Sequence, residues 1–317
     1  MNNISFSSFN HQASGYDPNN AYLLAQLSLA TYRRGKVEKL GGRDENNDEW
    51  RERVKQEASS WGFSSDRVYC FNHKGSQAIL LVDEQKIILA FRGSEEKSDW
   101  QINMNRLKDK DFSKNYKICL HTGFCDYLNS IWKPYNDPKG RVEAKGIQAI
   151  LQEEMEQAPK SLWITGHSLG GAVAVLAAAV CTLGNSPIKV SGVYTYGQPR
   201  VGDLRFAKLY NSQLKSKTFR FVNNNDVVTK IPTWAPVFFF YHVGQIKYLT
   251  QDGEILDFEK LSWWQRWRSI FIDIAKDLRE QGLNSITDHS MSTGYIPPLR
   301  RVVSEQGNLT PVTTTSK

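Results

Sequence analysis

Residues 163–172 read Trp163-Ile164-Thr165-Gly166-His167-Ser168-Leu169-Gly170-Gly171-Ala172. Upstream, Ser161–Thr165 is a short apolar run of strand length. Downstream, Gly170–Leu183 is rich in alanine and valine and long enough for a helix. Between them stands Gly-x-Ser-x-Gly. Alone, three such fixed positions recur by chance in roughly one chain in ten of this length. The flanks make the motif specific, because they place the serine on a sharp strand-to-helix turn. A side chain at Gly166 or Gly170 would collide with the neighbouring strand or helix, so both glycines belong to the turn. Ser168 is thereby lifted above the sheet edge. Its Oγ lies near a helix N-terminus, whose partial positive charge favours a developing anion.

The chain on either side repeats this alternation. Gln77–Val82 and Lys86–Phe91 are apolar, β-branched runs separated by Asp83-Glu84-Gln85, which predicts a hairpin. Lys189–Tyr196 reads as a strand, Gly202–Leu214 as a helix and Thr218–Val222 as a strand. Strands alternating with helices predict an α/β domain with a mainly parallel central sheet flanked by helices. Nearer the start, Ala21–Tyr32 reads as a helix opened by Asp17-Pro18 and stopped at Gly35. Gly41–Gln56 is densely charged, and a solvated loop and a surface helix both fit it. Asn223–Asp288 is expected to hold loops and short strands before a final helix. No linker rich in Pro, Gly or Ser divides the chain. The expectation is one domain over residues 15–303, a loose segment at 1–14 and a polar tail at 304–317.

Composition narrows the function classes. The chain has 317 residues, 40% hydrophobic and 23% charged, enough for a substantial core. Forty Lys and Arg against 33 Asp and Glu give a net charge of +7. That charge is diffuse, with no nucleic-acid motif or concentrated basic stripe, so no nucleic-acid partner is expected. The four cysteines form no CxxC pair and no His spacing suited to zinc, so no metal is expected. Residues 1–10 lack the basic start and apolar stretch of a secretory signal. The longest apolar run, Ala172–Val180, is far short of the ~20 residues that a bilayer requires. A cytoplasmic protein, peripheral to a membrane at most, is the expectation. Tryptophan is the unusual entry in the composition: there are nine, three of them at 263, 264 and 267.

The block Leu162-Trp-Ile-Thr-Gly-His-Ser-Leu-Gly-Gly-Ala-Val-Ala-Val-Leu-Ala-Ala178 resembles the active-serine block of the fungal-type (class 3) lipases, a family of α/β-hydrolases. Further segments resemble the same family in the same order: Leu89-Ala-Phe-Arg-Gly-Ser94, His121-Thr-Gly-Phe124, Tyr194-Thr-Tyr-Gly-Gln-Pro-Arg-Val-Gly202, Asn225-Asp-Val-Val-Thr-Lys-Ile-Pro232 and Asp288-His-Ser-Met291. They span about two thirds of the chain. The resemblance implies an α/β-hydrolase fold, hydrolysis of acyl esters of glycerolipids and no cofactor.

A serine hydroxyl needs a base, and the base needs a partner that fixes its tautomer. In α/β-hydrolases the chain order is serine, acid, histidine. His11, His73 and His121 precede Ser168, and His167 adjoins it and cannot fold back onto it. His242 and His289 remain. His289 sits on the predicted loop Thr287–Thr293 and matches the family's Asp-His-Ser segment; His242 reads as a structural residue bonding a loop. For the acid, Asp203, Asp226, Asp252 and Asp257 are the main candidates. Asp226 follows strand Thr218–Val222, at the strand end where open α/β sheets place their sites, and the resemblance points to it as well. Asp203 reads as the cap of the helix beginning near Leu204, and Asp288 as a support for the His289 loop.

An oxyanion needs N–H donors. One is expected from Leu169, directly after the nucleophile. In the resembling family the second comes from the residue after Arg-Gly, here Ser94. Residues 95–105 occupy the family's lid position, with apolar points at Trp100, Ile102 and Met104. A lid and a plain surface loop with a buried Trp100 both fit that pattern. Residues 106–117 carry five cationic side chains against two aspartates. Leu261–Gln281 has a helical pattern in which Trp263, Trp264 and Trp267 fall on the same face as Ile270, Phe271, Ile274 and Leu278. Packing on the sheet and contact with a membrane or lipid-droplet surface both fit that face. The partner expected of the whole chain is an acyl-lipid substrate.

Overall fold

The β-branched runs flanking the serine turn build one eight-stranded sheet. The computed structural model describes residues 4–35, 44–94, 118–135, 145–185, 187–223, 226–230, 240–250, 253–257 and 289–307. The strands are β1 (Val68–His73), β2 (Ser76–Val82), β3 (Lys86–Phe91), β4 (Ser161–His167), β5 (Val190–Tyr196), β6 (Thr218–Asn223), β7 (Gln245–Leu249) and β8 (Ile255–Asp257). They lie in the sheet in chain order. Neighbours from β3 through β7 are parallel, while β1–β2, β2–β3 and β7–β8 are antiparallel. The β2–β3 hairpin closes on Asp83, whose carboxylate accepts the N–H groups of Gln85 and Lys86 at 2.8 Å each.

Both sheet faces are covered, so β2 and β3 are buried along their whole length. One face packs against α3 (Thr122–Trp132), α4 (Gly146–Gln157), α5 (Leu169–Leu183) and α6 (Leu204–Leu214). The other packs against α1 (Pro18–Ala30), α2 (Asn47–Ser60) and α7 (Ile296–Glu305). α5 runs from the serine turn beneath the sheet. It is apolar on nearly every side and mostly alanine, valine and glycine, which suits a helix enclosed by a sheet and neighbouring helices.

Several sequence expectations change in detail. Residues 4–14 are not loose: Phe6 and Phe9 are buried, and the Phe6 N–H donates to the Trp61 carbonyl at 3.1 Å. Their rings sit against Trp61, Phe63 and Trp163. Two aromatic anchors outweigh the polar residues around them. α1 opens on the Asp17-Pro18 signal, with the Asp17 carboxylate accepting the Asn20 N–H at 3.0 Å and Pro18 in its first turn, so it spans Pro18–Ala30 where the sequence predicts Ala21–Tyr32. The charged stretch near residue 50 is a helix with a full capping box at Asn46 and Glu49. Its Trp50, Val54 and Ala58 recur every fourth residue and are buried. β1, α3, α4 and α7 were not read from the sequence.

The lid candidates Trp100, Ile102 and Met104, the interface candidates Trp263, Trp264 and Trp267, and Asp252 and Asp288 lie outside the described residues, as does the tail beyond residue 307. The tryptophans at 50, 61, 132 and 163 are all core residues. No described helix is long and apolar enough to cross a membrane.

Candidate active site

β4 ends at His167, and Ser168 follows with φ 56° and ψ −128° as the cap of α5. A positive φ is costly for a residue with a Cβ, and the surroundings hold it there. The Ser168 N–H donates to the Tyr196 carbonyl at 2.8 Å, and its own carbonyl accepts from Gly171 at 2.9 Å. The flanking glycines are required by space. A Cβ on Gly166 would lie 2.3 Å from the Gly170 carbonyl oxygen, and one on Gly170 would lie 2.2 Å from that of Phe91. The turn is therefore pressed between the start of α5 and the end of β3.

β6, next but one to β4 in the sheet, delivers Asp226 just past its end, where the Asp226 N–H donates to the Asn223 carbonyl at 2.8 Å. A short 3-10 turn over Val227–Lys230 follows. Asp226 is fully buried. Its Oδ1 accepts the Val228 N–H at 2.9 Å, and its Oδ2 accepts the Tyr295 hydroxyl. Burial pushes this carboxyl up, but the bond and charge of His289 and the Tyr295 hydroxyl outweigh burial. The net shift is below the usual carboxylate value, so the group is an anion at neutral pH.

His289 precedes a single π-turn, Met291–Tyr295, that opens α7. Its Nδ1 lies 2.9 Å from Asp226 Oδ2 and 3.0 Å from Oδ1. Its Nε2 lies 2.8 Å from Ser168 Oγ. A carboxylate only accepts, so Nδ1 carries the proton and Nε2 turns a lone pair toward the serine hydroxyl. The structure thus brings Ser168, Asp226 and His289 into one hydrogen-bonded line from three separate strand ends and loops.

The neighbouring positions differ in what they contribute. The turn at 92–94 abuts Ser168: a Cβ on Gly93 would stand 3.2 Å from Ser168 Cβ. Ser94 follows it and is half-buried. Leu169 opens α5, in the first turn, where N–H groups have no acceptor within the helix. The other acids stand elsewhere. Asp203 caps α6 by accepting the Phe206 N–H at 2.9 Å, and Asp257 pairs with Lys247 at 2.7 Å. His242 Nε2 meets the Thr229 carbonyl at 2.7 Å, on the turn beside Asp226. Sequence reading did not find Tyr295 or Gly197, which touch the Asp226–His289 pair, nor a role for His167 and Tyr32. Their spacing does not announce these contacts, which join positions from 29 to 135 residues apart. Among the described residues no group of three His, Cys, Asp or Glu is placed to hold a metal ion.

The sequence profile of the Lipase (class 3) family matches residues 88–235, from β3 across Ser168 and Asp226. A lipase of Rhizomucor miehei is 29% identical over 172 residues, covering 54% of this chain and 43% of its own. A chloroplastic phospholipase A(1) of Arabidopsis thaliana is 43% identical over 167 residues, covering 49% of this chain and 36% of its own. The chain spans less than half the length of the curated relatives it matches. A crystal structure of a mutant MDLA of Penicillium cyclopium superposes over 89% of this chain and 96% of its own, with a TM-score of 0.55 and 22% identity. That likeness shows a shared α/β-hydrolase fold. The profile match covers a little under half of this chain, and over residues 88–235 the chain is similar to the class 3 lipase family.

Proposed function

We propose that the chain is a serine carboxylic-ester hydrolase that cleaves acyl esters of glycerolipids. One observation carries the reading: His289 bridges Ser168 Oγ at 2.8 Å and Asp226 Oδ2 at 2.9 Å. In this reading Ser168 Oγ attacks the ester carbonyl while His289 Nε2 takes its proton. Asp226 keeps the proton of His289 on Nδ1 and stabilises the imidazolium that forms. The N–H groups of Leu169 and Ser94 hold the oxyanion. Collapse of the tetrahedral intermediate breaks the ester C–O bond, and His289 returns the proton to the departing alcohol. Water, deprotonated by the same histidine, then attacks the acyl-serine, releasing the fatty acid and restoring Ser168. Every proton is carried by these side chains and water.

The lipid substrate is supported by the names borne by the relatives, a lipase and a phospholipase A(1). The apolar points at Trp100, Ile102 and Met104, and the face with Trp263, Trp264 and Trp267, are the proposed contacts with a membrane or droplet surface. The test is mass spectrometry of triacylglycerol, phospholipid and galactolipid dispersions before and after incubation with the pure protein. Free fatty acid should rise with the wild type and not with Ser168→Ala. No fatty acid from any dispersion, with turnover of a small soluble ester, would reject the lipid substrate.

A further inference from the structure

His167 lies one covalent bond from the nucleophile and is absent from the mechanism above. It is 6% exposed. Its Nε2 lies 2.7 Å from the backbone oxygen of His289, and its Nδ1 lies 2.7 Å from the Tyr32 hydroxyl. A carbonyl oxygen only accepts, so Nε2 carries the proton. Nδ1 then holds a lone pair, and Tyr32 donates to it. Both ring nitrogens are satisfied in one tautomer alone.

Tyr32 follows the end of α1, and that helix is firmly seated. Ser28 shares a hydrogen bond with Thr165 of β4 at 3.0 Å, and Leu23, Leu24 and Leu27 are buried. The Tyr32 hydroxyl also sits tight against the 92–94 turn, since a Cβ on Gly93 would come within 2.1 Å of it. We infer that Tyr32 and His167 are positioning residues: a chain of two hydrogen bonds from the end of α1 to the main chain of His289 sets the base over Ser168. This rests on the reading of His289 as the base. Asp226 aims the ring of His289, and His167 fixes the backbone that carries it. Because His167 adjoins Ser168 in sequence, the nucleophile and base are held to a common support.

The neutral state of His167 matters to this role. Its ring centroid is 4.6 Å from that of His289. A charged neighbour would oppose the imidazolium that forms during catalysis. Burial first, and the neighbouring His289 second, bring His167 down to about 3, so it stays uncharged at working pH.

The test uses the full chain with Tyr32→Phe, His167→Leu and His167→Gln, each assayed on a soluble p-nitrophenyl ester and by thermal unfolding. Tyr32→Phe removes one hydroxyl and should lower kcat about tenfold, with KM within about twofold. His167→Leu fills similar space without a donor and should lower kcat about 100-fold. Gln offers an amide N–H to the same carbonyl and should return about tenfold of that loss. A buried glutamine packs less well than leucine, so a purely structural role predicts Gln no better than Leu, and that outcome overturns the inference. If His167→Leu fails to fold, Tyr32→Phe decides: kcat within about twofold of wild type overturns it. Ser168→Ala separates the two levels. Turnover surviving Ser168→Ala overturns the enzymatic reading and this inference with it. Turnover lost in Ser168→Ala but unchanged in Tyr32→Phe overturns the positioning chain alone.

Discussion

Gly197 closes against His289 so tightly that a Cβ there would stand 2.9 Å from His289 Nδ1 and 2.8 Å from Asp226 Oδ2. It also has φ +59°, a conformation that L side chains rarely adopt. The strand end of β5 thus leaves room for the contact between Asp226 and His289. Gly197→Ala should push the pair apart while sparing most of the fold. A displacement of about 1 Å costs on the order of 100-fold in rate, so kcat should fall by that factor with KM little changed. Steady-state kinetics on a soluble ester check it.

Tyr295 donates to Asp226 Oδ2 while its oxygen accepts the Asn223 N–H at 3.2 Å. Tyr295→Phe removes a donor from a buried carboxylate and should destabilise the protein by about 2 kcal/mol at neutral pH. The sign with pH follows from the lowered Asp226 value. The stability that its ionisation contributes is fully present above the unfolded value of 3.8 and is lost as pH falls through the lower folded one. The gap between wild type and variant should therefore stay constant from pH 7 to about 5 and narrow below about 4. Urea unfolding across that range measures it.

His167 has linkage of the same sign in a higher pH window. Its folded value of about 3 lies below the ordinary histidine value of 6.5, so the unfolded chain binds the extra proton between them. Stability should fall as pH drops below 6.5, by up to about 1.4 kcal/mol per pH unit from this residue. His242, also held well below its ordinary value, first by burial and then by Arg220, adds to the same slope. His167→Gln removes one titrating group and should flatten stability against pH between 6.5 and about 4, measured by unfolding titrations.

The proposed surface contacts at Trp100 and Trp264 yield a prediction that separates surface contact from packing. Trp100→Ala and Trp264→Ala should each lower activity on dispersed lipid about tenfold and on a soluble ester no more than about twofold. Equal losses on both substrates would assign the two side chains to the core.

What could be read from sequence was what is local. The serine turn is encoded within ten residues as strand, glycine, serine, glycine and helix, and the α1 start within Asp17-Pro18. The antiparallel β2–β3 pair is likewise written in two runs and a turn. The remainder depends on residues that meet only in the folded chain. Phe6 and Phe9 sit in a polar stretch, and their burial is decided by Trp61 and Trp163. β1 does not alternate: Val68 and Phe71 are buried, with half-buried Tyr69 and Cys70 between them. Tyr32 meets His167 across 135 positions and Tyr295 meets Asp226 across 69, so no spacing announces either contact. Gly197 looked like part of a motif, but its necessity lies in the histidine above it.

The central claim is that Ser168 is a nucleophile activated by His289. The direct measurement is reaction of the intact chain with a fluorophosphonate, followed by intact mass and peptide mapping. The account predicts one phosphonyl group per chain, carried by Ser168, absent in Ser168→Ala and formed at least 100-fold more slowly in His289→Ala on the order expected for loss of a catalytic base. Labelling at another residue, or undiminished labelling in His289→Ala, would contradict it.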